Sequence, residues 1–559
     1  MVEEVVPAAD LVSPDAVGPE GRDSPDSLMR HAAVMTVGTT LSRLTGFLRL
    51  TALTATLGVT VSALGSIYTV ANLTPNIIYE LILGGILTSV FVPVFVARLE
   101  THGPDDAREV ADRVISLVAV ILIAVAALGA VFAEQIIRLY LVSSTAPDRD
   151  AQIQLGVFLL RWFMPQIVFY GVGAVIIGLL QAHRRFAAPM FAPILNNLVV
   201  IGTFLAYAVV RGTRPPDVEG ITFLEKSILG AGTTLGVIVM TVALWPSLRA
   251  IGYRLRLRLT WRHEAVRQLV RLAAWVALYV AANQLAYVVV IILNNRFDAG
   301  PQIYTTAFTV FQLPHAIFAV SIFTALLPGM SERWATGNPE GVRTFLSRGL
   351  RDTAVVTIPA ALGLFVLAEP IARLLFEHGE SVDADAIAIG QTLEGFAVGL
   401  LFFSSFQLLT RTFYAMQDTR TPALVNVAVG VVNIGAAVVY TSGPFDLGLP
   451  GMALAHATSY LLGAAFLLVL LRRRLGPIGG ARVIATVIRV SVAAMASAAA
   501  AVGVLGSWDL SADAGVLAQA LQVGAAVSLG VLVFLISALI LRVGEVDDLK
   551  KALVRRFRP

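Results

Sequence analysis

Fourteen times between residues 32 and 541 the chain returns to a predominantly apolar run. A helix rising about 1.5 Å per residue needs roughly 20 such residues to cross about 30 Å of hydrocarbon, and each run is of that order. The windows fall near 32–57, 66–97, 112–133, 153–180, 190–210, 228–248, 268–293, 304–328, 353–372, 387–411, 422–441, 449–471, 485–506 and 516–541. They are rich in Leu, Ala, Val and Gly and do not alternate, which selects helices over an outer-membrane barrel. The expected fold is therefore an all-α polytopic membrane protein with about 14 transmembrane helices. With 57% hydrophobic and only 14% charged residues, a soluble domain of this length would lack the polar groups to cover its surface.

Basic residues orient the bundle. With a cytoplasmic N-terminus, the inside segments hold 29 Lys and Arg and the outside segments 7. The positive-inside rule then places both termini in the cytoplasm of a multi-pass plasma-membrane protein. Because these residues flank spans, the net charge of +4 is no nucleic-acid footprint. Cysteine is absent, so disulfides and thiolate metal sites drop out.

Residues 1–28 are acidic, Pro-rich and without helical periodicity, and read as a disordered cytoplasmic tail. The rest divides into a first lobe at 29–250, a second at 251–475, a pair of extra helices at 476–545 and a basic tail at 546–559. The division comes from a weak internal repeat. "QAHRRFAAP" (181–189) after the fourth window is similar to "YAMQDTRTP" (414–422) after the tenth, and "NLTPNIIYELI" in the second to "FQLPHAIFAVS" in the eighth. The offset corresponds to six helices, an even number, so both copies share one orientation as two pseudo-symmetric six-helix lobes. Transporters with this plan place their site between lobes near the midplane and expose it to each side in turn.

Apart from Arg113 and Arg411 at window edges, five basic residues lie inside windows: Arg43, Arg49, Arg161, Arg271 and Arg489. Arg43 is about 20 Å from the cytoplasmic edge, too deep to snorkel, and central placement costs about 2.5–3.5 kcal/mol on insertion scales. Arg49, six residues on, lies about 120° from a full-turn alignment and about 9 Å along the axis. For Arg43 two readings stand, an anion contact in a hydrated cavity or a salt bridge between packed helices; for Arg49 snorkelling is the rival. Glu80 pairs with an arginine or serves ion or proton coupling. Asn72, Asn76, Asn283, Arg296 and Gln312 complete the candidate substrate-binding set, with interhelical hydrogen bonding the commoner role of such amides. Prolines at 75, 165, 189, 193, 314, 328, 359 and 422 mark bends or helix ends.

No HExxH, GxxxxGK[ST] or GxSxG occurs, and no loop exceeds about 25 residues, so a catalytic domain outside the membrane has no room. No enzyme and no bound cofactor is expected; a coupling ion or the membrane potential is the open question. The acidic stretch "EHGESVDADA" (377–386) reads as a solvated loop or a weak cation site.

"SRLTGFLR" (42–49), "LTPNIIYELILGGILTSVFVPVF" (73–95), "PMFAPILNN" (189–197), "FQLPHAIFAVSIFTALLPGMSERWATGN" (311–338), "LLFEHG" (374–379) and "YAMQDTRTP" follow one another in order. Together they resemble the bacterial lipid II flippase family, MurJ/MviN, of the multidrug/oligosaccharidyl-lipid/polysaccharide exporter superfamily, in particular its actinobacterial members, over about residues 30–545. The resemblance implies a substrate, the undecaprenyl-pyrophosphate-linked disaccharide-pentapeptide lipid II, moved from the cytoplasmic to the outer leaflet by alternating access. It further implies a cationic cavity in which Arg43 and Arg49 contact pyrophosphate, and a lipid-tail groove formed by the last two windows. Lipid II, membrane lipids and peptidoglycan-synthesis proteins are the expected partners, and a monomer the expected state. The chain departs from better-known members: Ser66, Tyr79, Glu80, Thr309 and Gln312 stand where charges of other sign or kind are usual, which points to Arg296 or Arg411 as substitutes or to a grip resting mainly on the first window. Some actinobacterial relatives continue into a cytoplasmic pseudokinase domain, whereas this chain stops at Pro559. An exporter of another polyprenyl-linked glycan or of drugs, a membrane enzyme on polyprenyl substrates, and a non-transporting cell-wall scaffold are the rivals.

Overall fold

Helix α1 (Pro25–Leu57) carries the first window and α2 (Leu64–Glu80) the start of the second. This computed structural model describes residues 25–80, 91–183, 185–253, 280–281, 283–442, 445–508 and 515–546, and no strand occurs among them. Helix α3 (Val92–Val131) follows, interrupted at Gly103, where φ is 83°. Next come α4 (Ala133–Tyr140), α5 (Arg149–Phe163), α6 (Gln166–Ala182), α7 (Ala187–Arg211), α8 (Phe223–Val242) and α9 (Trp245–Ala250). The second half holds α10 (Asn283–Asn294), α11 (Gly300–Pro314), α12 (Val320–Ala335), α13 (Pro339–Val366), α14 (Ala368–Phe376), α15 (Asp383–Ala397), α16 (Leu400–Ala415), α17 (Arg420–Tyr440) and α18 (Gly448–Leu475). Two last helices, α19 (Gly480–Ser507) and α20 (Val516–Ile540), pack on each other and on α13.

Among the described residues ten helices are long and apolar enough to cross a membrane, eleven with α15 and α16, bent by 48°, counted as one. The fourteen expected are thus not all established. α1 is long enough but its arginines and threonines leave it too polar to be counted, and the windows at 66–97 and 268–293 run partly outside the described residues. So do most of the two tails. α1 begins at Pro25, within the stretch 1–28 expected to be unstructured; a proline suits the first helical position, where its missing N–H breaks no bond.

Proline punctuation is legible in the helices. Pro165 separates α5 from α6, Pro189 and Pro422 sit in the first turns of α7 and α17, and Pro314 is followed by a π-helical turn at His315–Ala319. A proline lacks the N–H that would close the turn before it, so the ladder either stops or widens. Pro75, Pro193, Pro328 and Pro359 stay inside continuous helices.

The two halves repeat one packing scheme in the same order. α2 packs on α5, α3 on α6, α5 and α6 on α8, and α7 on α8; correspondingly α11 packs on α15, α13 on α16, α15 and α16 on α18, and α17 on α18. α1 lies along α7, and its counterpart α10 is tied to α17 by a hydrogen bond from Asn426 to Asn283. Many outward side chains are apolar, including Val209 (81% exposed) and Ile540 (73%). In water such a surface would be an association hazard; against acyl chains it is the solvated face.

At the end of the bundle where α1 stops, the halves are joined. Arg211 donates to the Thr56 carbonyl at 3.1 Å and pairs with Glu380 at 2.6 Å. The Glu380 N–H donates to the Ala55 carbonyl at 2.9 Å, Asp385 accepts from the Thr60 N–H at 3.0 Å, and Gln302 donates to the Gly58 carbonyl at 2.9 Å. Asn295 donates to the Tyr140 carbonyl at 3.0 Å, and Ser143 to that of Ile292. The acidic stretch 377–386 is therefore tied down rather than a free solvated loop, with Val382, Asp383 and Ala384 still exposed. Glu377 and Asp383 pair with Arg373, and Glu380 and Asp385 hold the opposite half. Among the described residues no group of three or more His, Asp or Glu is arranged to hold a metal.

Candidate functional site

Between the halves lies a chamber of about 2280 Å³, walled by α1, α2, α6 and α7 on one side and by α10, α11, α16, α17 and α18 on the other. Arg49 is half-buried on its wall, and among the described residues no carboxylate pairs with it. Its charge acts on Tyr68, Tyr79 and Tyr170, which form the neighbouring wall with Tyr79 packed on Tyr170 at 4.4 Å between ring centroids. A guanidinium on a wall shared with tyrosines, and without a paired carboxylate among the described residues, leaves its five N–H donors for an anion.

The register of α1 is set by α7. Asn197 donates to the Thr45 hydroxyl at 3.0 Å and to the Ser42 carbonyl at 3.2 Å. We expect Asn197→Ala to cost about 0.6–1.7 kcal/mol, the range for interhelical hydrogen bonds in membranes, read as a lower thermal midpoint of the detergent-purified protein. An unchanged midpoint would remove Asn197 as the anchor.

Of the residues singled out by sequence, Arg49, Asn72, Asn76, Glu80, Asn283 and Gln312 all line this one chamber. Asn76 accepts from the Tyr170 hydroxyl at 3.4 Å, and the buried Asn72 Oδ1 has no partner. Glu80 is exposed at the end of α2, and among the described residues no arginine pairs with it, so the salt-bridge reading does not hold there. Arg43 does not lie on the chamber wall. It is exposed, free of carboxylate partners among the described residues, and near enough to act electrostatically on His315 together with Arg411. The dry salt-bridge reading for Arg43 fails with it. Arg296 is not brought to the site: it is exposed in the turn after α10, because that helix ends at Asn294 and the chain reverses through Ala299, φ 47°, into α11.

The chamber carries charge besides that of Arg49. Tyr79, Thr309 and Gln312 do face the chamber, whereas Ser66 is buried. Arg411 on α16 and Arg420 at the start of α17 line it as well, and Arg411 lies over the Phe323 ring at 5.6 Å with its Nε unpartnered. With Glu80 the lone acid on this wall among the described residues, the lining carries three arginines against one carboxylate.

Sequence reading passed over the opposite wall. Asn433 on α17 and His456 on α18 both line the chamber and carry buried, unpartnered polar atoms. A lone histidine in "ALAHATSYLL" and an asparagine in "GVVNIGAA" were the available signals. Neither stands out until folding brings α17 and α18 alongside α11.

The family model for "Lipid II flippase MurJ" matches residues 53–519. A "Probable lipid II flippase MurJ" of Rhizobium meliloti (strain 1021) is 27% identical over 409 residues, covering 72% of this chain and 74% of that one. The "Lipid II flippase MurJ" of Burkholderia cenocepacia is 26% identical over 458 residues, covering 79% and 84%. Among solved structures, a "Lipid II flippase MurJ, inward closed conformation" superposes with a TM-score of 0.74 at 22% identity, over 91% of this chain and 99% of that one. An inward-facing multidrug resistance MATE family transporter gives 0.62 at 15% identity, over 77% and 94%. At these identities the structural likeness speaks to the fold.

Proposed function

We propose, because this chain belongs to the lipid II flippase MurJ family, that it moves lipid II from the cytoplasmic to the outer leaflet by opening one chamber to each side in turn. The observation that carries this reading is Arg49, a permanent positive charge on the wall of a large chamber inside a membrane protein, with no carboxylate paired to it among the described residues. A guanidinium presents a planar fork that matches phosphate oxygens and stays charged at any relevant pH, so it suits the diphosphate of a polyprenyl carrier. Arg411 and Arg420 add charge on the facing half, and Arg43, about 9 Å nearer the start of α1, meets the head on its way in.

The basic-residue asymmetry of 29 to 7 supports cytoplasmic termini, which makes the joined end of the bundle the outer end. Chamber residues then await substrate from the cytoplasm. An anionic head moving outward runs with an inside-negative potential, which is worth about 2.3 kcal/mol per charge per 100 mV. We read the chain as a transporter that makes and breaks no covalent bond, driven by that potential or by a coupling ion.

The test is a leaflet-resolved assay on proteoliposomes containing lipid II. Lipid II reaching the far leaflet faster with the protein, and faster still under an inside-negative potential, is the expected result. Appearance at the rate of protein-free vesicles under both conditions would refute transport.

A further inference from the structure

At the depth of Arg49 the chamber's two walls differ in chemistry. On the α1 and α2 side stands Arg49. Opposite it at the same depth, α11, α17 and α18 present a neutral patch of rings and amide or imidazole edges, while Arg411 and Arg420 of that half stand toward the other end of the bundle, near the end of α16 and at the start of α17. His456 is 6% exposed, within 4.6 Å of the Tyr460 ring and 5.4 Å of Phe308 between centroids. Among the described residues its Nε2 has no hydrogen-bond partner, nor has the buried Oδ1 of Asn433. Tyr304, 3% exposed and also on the chamber, has no partner for its hydroxyl among the described residues.

Depth along the helices matches across the gap. At about 1.5 Å per residue, Arg49 is ~12 Å from the outer end of α1, Asn433 ~10 Å from that of α17 and His456 ~12 Å from that of α18. Buried polar atoms left without partners are costly, and where such atoms line a ligand-sized chamber, as those of Asn433 and His456 do here and those of Asn72 and Asn196 do on the other wall, they mark where a ligand's or water's hydroxyls complete them. Stacked rings beside neutral donors and acceptors are the surface a pyranose needs, with its C–H face on the ring and its hydroxyls and acetamido groups on the amide and imidazole. A charged wall would instead compete for the diphosphate.

We propose that Tyr304, Asn433, His456 and Tyr460 form a neutral subsite for the sugar of the lipid-linked head group, facing the arginine that takes its diphosphate. This rests on the transport reading above and adds, at the depth of Arg49, a carbohydrate patch facing a charged one.

The experiment compares binding of lipid II with that of undecaprenyl pyrophosphate, which has the same tail and diphosphate without the sugar. The purified full chain is used as wild type, Asn433→Leu and His456→Phe. Wild type should prefer lipid II, and each variant should lose about tenfold in lipid II affinity with undecaprenyl pyrophosphate binding unchanged. The unchanged ligand doubles as the folding control. If both ligands weaken together in both variants, or lipid II does not weaken, the subsite is overturned while the transport reading stands. If wild type binds neither lipid, both readings fall.

Discussion

Arg49→Ala is expected to abolish growth of cells that depend on this chain for lipid II supply, with the protein still reaching the membrane in normal amount. The reason is local. Arg49 is a cation on the charged wall with its donors uncommitted, and α1 is held in place by Asn197 rather than by any bond of the arginine itself. Truncation therefore removes the ligand contact and spares the helix. Losing a charge-assisted hydrogen bond costs about 1.5–3 kcal/mol, so lipid II affinity falls ~10- to 100-fold. Arg49→Lys keeps the charge but loses the fork, and an intermediate loss is expected. Arg296→Ala, away from the chamber, leaves affinity at the wild-type level. Equal losses for Arg49→Ala and Arg296→Ala would mean that fixed charge on the chamber wall is not what holds the head group.

The second large effect concerns the joined end of the bundle. Gly379 has φ +65°, and a Cβ built there would lie 2.2 Å from the Ala55 carbonyl oxygen of the opposite half. Alanine is strained by the left-handed backbone and blocked by a backbone atom that no side-chain rotation clears. Gly379→Ala should prise this end apart. Arg211→Ala should do the same, since it leaves Glu380 and the Thr56 carbonyl without their donor, and breaking a buried pair typically costs about 3–5 kcal/mol.

The readout is clean because the chain has no native cysteine. A single cysteine at Thr305, on the chamber wall, should react with a membrane-impermeant maleimide added from outside at least tenfold faster in Gly379→Ala or Arg211→Ala than in the otherwise wild-type chain. Gly363→Ala, with nothing within 4 Å of the added atom, is the control that leaves labelling slow. Slow labelling in all four proteins would show that these contacts do not close the outer face.

Much of the bundle was readable because a bilayer imposes a coarse rule. Backbone groups must be satisfied within each span, so apolar length alone announces helices. Prolines 165, 189, 314 and 422 were legible breaks for the same local reason, a missing N–H. The helical pitch that set Arg43 and Arg49 on different faces survives in the structure, where Arg49 lines the chamber and Arg43 does not. Arg296 shows the limit. Its position beside two asparagines looked like a site, but Asn294 is buried, bonding back to Val290, and Asn295 bonds Tyr140 across the joined end, which turns the arginine outward.

Sequence by itself determined the helices, the repeat and the need to shelter an arginine from lipid, because each follows from interactions within a span or between a span and the bilayer. Tertiary structure alone decided which polar groups share a chamber and which clamp its end. Arg411, Asn433 and His456 come from three helices, and Arg211 meets Glu380 across 169 residues. Such meetings depend on how helices pack against one another, and no periodicity along the chain encodes the distance between side chains on different helices.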